Sequence, residues 1–165
     1  MKLPIYLVCT LLLFCSCASN ISLREELLVA EVKENNIIFK VNKREFINEA
    51  NKEFFSGIDI IDSFDIISSH TIGNEKVHYY YLVLSSTTKD VRIARWLFER
   101  DGKLYMENSA DDTLGYTYFF VKCEGTSPCE PSLVNGNSGF FWICGEEIFE
   151  CSIDETKCTK TLTLL

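Results

Sequence analysis

The chain has 165 residues, a net charge of −8, and hydrophobic and aromatic shares of 47% and 13%. That length suits one domain with an appendage, and that much apolar material argues against global disorder. An acidic chain without a basic run interleaved with aromatics repels phosphate backbones and anionic lipid alike, which disfavours nucleic acid as a partner.

At the N-terminus, Lys2 precedes an apolar run from Leu3 to Phe14, and small residues follow at Ser16 and Ala18. About twelve apolar residues are too few to span a bilayer as a helix but have the length of a secretory h-region. The segment resembles a bacterial lipoprotein signal, in which a small residue stands before a lipidated cysteine. Here Ser16 precedes Cys17, while Phe14 and Cys15 stand where Leu and a small residue are usual. The resemblance implies a signal peptide over 1–16 and an acyl lipid such as palmitate on Cys17. It also implies a cell-envelope location, anchored to the membrane and facing the periplasm or the exterior. Ordinary secretory cleavage, giving a secreted protein, is the alternative.

Residues 17–35 read as a tether carrying a short helical turn, and 36–41 (NIIFKV) as a first strand. Asn42 then offers an N-cap side chain to a helix over 43–55. In that helix Phe46, Ile47, Ala50, Phe54 and Phe55 recur at helical spacing, and Ser56-Gly57 ends the run. Lys43, Glu49 and Lys52 fall on its other side. Residues 58–69 are rich in β-branched side chains, Gly73-Asn74 marks a turn, and 76–86 (KVHYYYLVLSS) is strongly β-prone. Residues 91–100 and 103–107 flank Asp101-Gly102, a two-residue hairpin signal. In the first of these strands neither face is wholly polar. A last run covers 116–123.

One helix followed by meandering antiparallel strands over 36–122 is similar in element order to cystatin-like and nuclear-transport-factor-like domains, where a curved sheet wraps a helix. No diagnostic motif accompanies the similarity, since the inhibitory loop of cystatins needs glutamine and this chain has none. Shared element order implies nothing about shared function.

Residues 123–165 are of another kind. Pro128, Pro131, Gly136 and Gly139 give a turn-rich start, and 140–144 and 147–153 suggest a hairpin turning at Gly145-Glu146. So small a piece needs cross-links or docking onto the sheet. Five of the eight cysteines lie here: Cys123, Cys129, Cys144, Cys151 and Cys158. Zinc ligands come as close pairs, C-x2-C to C-x4-C, and the spacing C-x5-C-x14-C-x6-C-x6-C contains none. In an exported chain these cysteines read as disulfides. Loop closure favours Cys123–Cys129 as one bridge, leaving Cys158 for Cys144 or Cys151.

Other candidate chemistry has a structural reading beside it. Gly136-Asn137-Ser138-Gly139 lacks the glycine that a nucleophile elbow needs two places after its serine, so it reads as a turn between strands. Asp59, Asp62 and Asp65, with Glu99 and Asp101, are solvated acids at loop and strand ends rather than a calcium loop. His70 and His78 carry no supporting motif. The tyrosines of 79–81, with Trp96 and Trp142, read as packing residues before they read as a ligand platform.

The expectation is therefore an α+β protein: one helix on an antiparallel meander over 36–122, with a disulfide-braced tail over 123–165. It has no catalytic residues, metal or cofactor, and acts as a binding or structural module towards a protein or glycan. A small hydrolase or a thiol-redox protein is the rival.

Overall fold

The structure is a computed structural model that describes residues 21, 23, 26–34, 36–107, 120–125, 129–145 and 158–163. The signal, Cys17, Cys151, the segment 147–153 and the start of the run at 116 lie outside the described residues. The elements are β1 (Leu27–Lys33), β2 (Asn36–Phe39), α1 (Lys43–Phe55), β3 (Ser63–His70), β4 (Ile72–Gly73), β5 (His78–Ser85), β6 (Val91–Arg100), β7 (Lys103–Met106), β8 (Phe120–Glu124), β9 (Pro131–Gly136), β10 (Gly139–Cys144) and β11 (Thr159–Thr163).

Helix α1 forms where its periodicity and cap place it. The Asn42 side chain accepts from the backbone N–H groups of Arg44 and Glu45, and Ser56 closes the helix in the left-handed region at φ 55°. Phe46 and Ala50 are buried, but Phe54 is only half-buried, its ring edge-on to Phe120 at 5.0 Å. One polar residue joins the buried side. Asn51, 2% exposed, donates to the Ile61 carbonyl and accepts from the N–H groups of Ile60 and Ile61.

Eight strands form the main sheet. β3 pairs with β5 and β5 with β6; β6 then pairs with both β8 and β7, leading to β11 on one branch and to β1 and β2 on the other. All these pairings are antiparallel. The β6–β7 hairpin turns at Asp101-Gly102 with positive φ at both residues, 52° and 71°, as the right-handed strand twist demands. Leu27–Lys33 departs from the expected helical turn: it is β1, between β2 and β7, with Val29 and Ala30 fully buried. The apolar residues there are spent on the sheet rather than on a helix face.

Strand alternation gives this sheet two apolar faces. One carries Phe64, Ile66, Leu82, Leu84, Ile93, Leu97 and Phe120 against α1. The other carries Tyr79, Tyr81, Val83, Ala94, Val121 and Cys123. A second sheet, β10–β9–β4, covers that face with Leu133 and Trp142, and its β4 runs parallel to β9. Docking onto the sheet, expected for the tail, is what these residues do.

The hairpin expected over 140–144 and 147–153 falls partly outside the described residues; the hairpin that the described tail forms is the one at Gly136-Asn137-Ser138-Gly139. It turns at Asn137-Ser138, and β10 pairs with β9 from Gly139–Gly136 to Cys144–Pro131. The two prolines and two glycines that suggested a loop leave room for a strand between them. Pro131 stands at the strand's first position, where a missing N–H is tolerated.

Candidate functional site

The disulfides also differ from the expected pairing. Cys123 is bonded to Cys144 and Cys129 to Cys158, with Cα–Cα distances of 5.6 and 5.5 Å. The easy loop between Cys123 and Cys129 does not decide. Cys123 points from β8 to the face that the tail covers, so its partner is the residue that arrives there, at the end of β10. Cys129, fully buried, meets Cys158 at the start of β11 instead. Both bridges seal an interior and leave no exposed dithiol.

The aromatic residues lie in the same interior. Tyr79, Tyr81 and Trp142 are buried; the two tyrosines stack at 5.4 Å, and Trp142 meets them edge-on with centroids at 6.2 and 5.8 Å. The Tyr79 hydroxyl accepts from the Leu133 N–H at 3.2 Å, tying the tail to β5. Burial pushes the Tyr79 phenol up, and the Tyr81 phenol up to about 12. These rings are packing residues, and Trp96 and Phe140 are only partly buried beside them.

The acids are apart in role. Asp62 accepts from the Thr87 N–H and hydroxyl, holding the loop between β5 and β6, and Asp65 accepts from the Ile66 N–H. Gly136-Asn137-Ser138-Gly139 is the β9–β10 turn, and Asn137 accepts from Asn74 at 2.6 Å. Arg95, 1% exposed, was no sequence candidate. It stands in the helix-side core, 4.8 Å from the Phe120 ring centre, and donates to the Glu107 carbonyl. Burial pulls its guanidinium down to about 10, so it remains a cation at neutral pH.

What the fold does assemble lies where β3 and β5 run out past α1. In their register Ser68 faces Tyr80 and His70 faces His78, two positions apart along each strand and so on the same side of the sheet as the helix core. The His78 Nε2 is 2.8 Å from the Ser68 hydroxyl, and its ring meets His70 at 5.3 Å and Tyr80 at 4.8 Å between centroids. Beyond them the loop is locked by Thr71, 2% exposed, whose hydroxyl donates to the Glu75 carbonyl and accepts from the Val77 N–H. Gly73, expected in a free turn, instead lies against β9 at φ 114°, where a Cβ would run into the Asn135 carbonyl.

At this end of β3 an open groove of about 540 Å³ is lined by His70, Thr71, Ile72, Gly73 and Lys76. Its chemistry is an apolar wall at Ile72 beside an ammonium and an imidazole. Among the described residues the lining holds neither carboxylate nor thiol, and the Thr71 hydroxyl is already committed as both donor and acceptor. That arrangement can hold a ligand's acceptor group beside an apolar part; it does not pair a nucleophile with a base. Compared with known protein families, curated proteins and solved structures, the chain matches none.

Proposed function

We propose that the protein is exported, held at the membrane through an acyl lipid on Cys17, and works as a non-catalytic binding or structural module of the cell envelope. The observation that carries this reading is the pair of disulfides, Cys123–Cys144 and Cys129–Cys158, at the covered face of the sheet. Structural bridges of this kind belong to oxidising compartments. The apolar run ahead of Ser16-Cys17 supplies the route there, and a groove with an apolar wall and an ammonium fits contact with a protein or glycan better than turnover.

The rival is a small secreted hydrolase or a thiol-redox protein. With four tail cysteines in bridges, a thiol reading has to run through Cys151. Intact mass of protein purified from its native membrane tests both. The expected species begins at Cys17, carries acyl chains and has the two bridges oxidised; Cys17→Ala leaves unprocessed precursor or soluble protein cut elsewhere. Cys17→Ala protein that is still processed and membrane-bound as before overturns the anchor. Four bridge cysteines found reduced in exported protein overturn the structural role of the tail and move the weight to redox work.

A further inference from the structure

We infer that His70 and His78 form a paired-imidazole site for a borderline divalent cation of the Zn²⁺, Ni²⁺ or Cu²⁺ class. They are the only 2 histidines in the chain, and the β3–β5 register sets them directly opposite each other. The bond from the Thr71 N–H to the Val77 carbonyl marks the adjacent pair as hydrogen-bonded. His70–His78 is then a non-hydrogen-bonded pair, the kind whose side chains stand closest. Both rings are exposed, so a cation keeps access to water on its open side.

The spacing suits chelation. A metal–nitrogen bond of about 2.0–2.1 Å, with about 1.2 Å more to each ring centre, sets the two centroids about 5.2 Å apart at a tetrahedral angle. The observed separation is 5.3 Å. A ligating imidazole also gives its other N–H to an oxygen, which fixes the tautomer. The Ser68 hydroxyl, 2.8 Å from the His78 Nε2, is placed to accept that proton and leave Nδ1 for the metal. Among the described residues no group of three or more His, Cys, Asp or Glu is gathered to hold a metal. Water therefore completes the coordination, and the site is an exchangeable one with affinities in the order Zn²⁺ below Cu²⁺ and Mn²⁺ weakest.

Zinc titration of the untagged full-length protein, followed by calorimetry and by the two imidazole NMR spin systems, tests this. One Zn²⁺ per chain is expected, with both imidazoles shifting along one saturation curve. His70→Ala and His78→Ala should each weaken binding at least tenfold, and Ser68→Ala several-fold. Both histidines are exposed, so the two histidine variants should melt like the parent in EDTA, and Zn²⁺ should raise the melting temperature of the parent more than that of either. Absence of binding, a shift of one imidazole alone, or undiminished binding by the double variant overturns the site.

Discussion

The two faces of the main sheet are sealed by different means. The helix face is covered by α1, which stands immediately before β3 in the chain, carries its own cap at Asn42 and stacks Phe46 on Phe64 at 4.7 Å. The tail face is covered by β9 and β10, which reach back to rings on β5 and arrive with two disulfides. A lone two-stranded hairpin is marginal in water, whereas a capped amphipathic helix brings most of its own specification. A covalent pin is therefore needed where the covering element cannot hold its shape or place alone.

The largest loss on the helix face is expected at Phe46. This side chain is fully buried, so Phe46→Ala should cost about 3–5 kcal/mol by chemical denaturation. Phe54→Ala should cost less, because its ring is half-exposed. Equal costs would show that the helix face lacks a defined centre. On the tail face, Cys123→Ser with Cys144→Ser opens a loop of 21 residues' separation and should cost about 3 kcal/mol. Its signature should be local: amides of β9 and β10 lose protection from hydrogen exchange while α1 and β3 keep theirs. Equal loss on both sides would mean that the two faces melt as one unit and that the bridge does not pin the tail locally.

Legibility in the sequence follows the same division. The helix and the β6–β7 hairpin are specified by neighbours in the chain, Asn42 for one and Asp101-Gly102 for the other, and both appear where expected. β9 was hidden because Pro131 and Gly136 argue locally for a loop, and only its pairing with β10 and cover over Tyr79 make it a strand. Bridge partners were hidden for a related reason, since they depend on which face of β8 Cys123 occupies. The histidine pair had a faint signal: residues 70 and 78 are equidistant from 74, beside the Gly73-Asn74 turn, which is the symmetry a hairpin register imposes. The exposed side of α1 is legible at Lys52, and the buried Asn51 beside it has a signal too, as a polar residue four places after Ile47 on the apolar stripe.

Asn51 is the helix face's own non-covalent counterpart to a pin. Its amide spans from α1 to the chain entering β3, with bonds of 2.9 Å to the Ile61 carbonyl and of 3.0 and 2.8 Å from the Ile60 and Ile61 N–H groups. Asn51→Ala leaves buried backbone groups without partners, which should cost about 2 kcal/mol. Asn51→Asp should not restore the loss, since a carboxylate keeps the two acceptor contacts but sets an oxygen against the Ile61 carbonyl. The adjacent Lys52 is exposed and pairs with Glu49 at the surface, so Lys52→Ala should cost less than about 0.5 kcal/mol. Melting curves of the three variants decide the matter. If Asn51→Ala is as mild as Lys52→Ala, the apolar side of α1 holds the helix unaided; a cost several times larger means that both covers are tied to the sheet, one by sulfur and one by an amide.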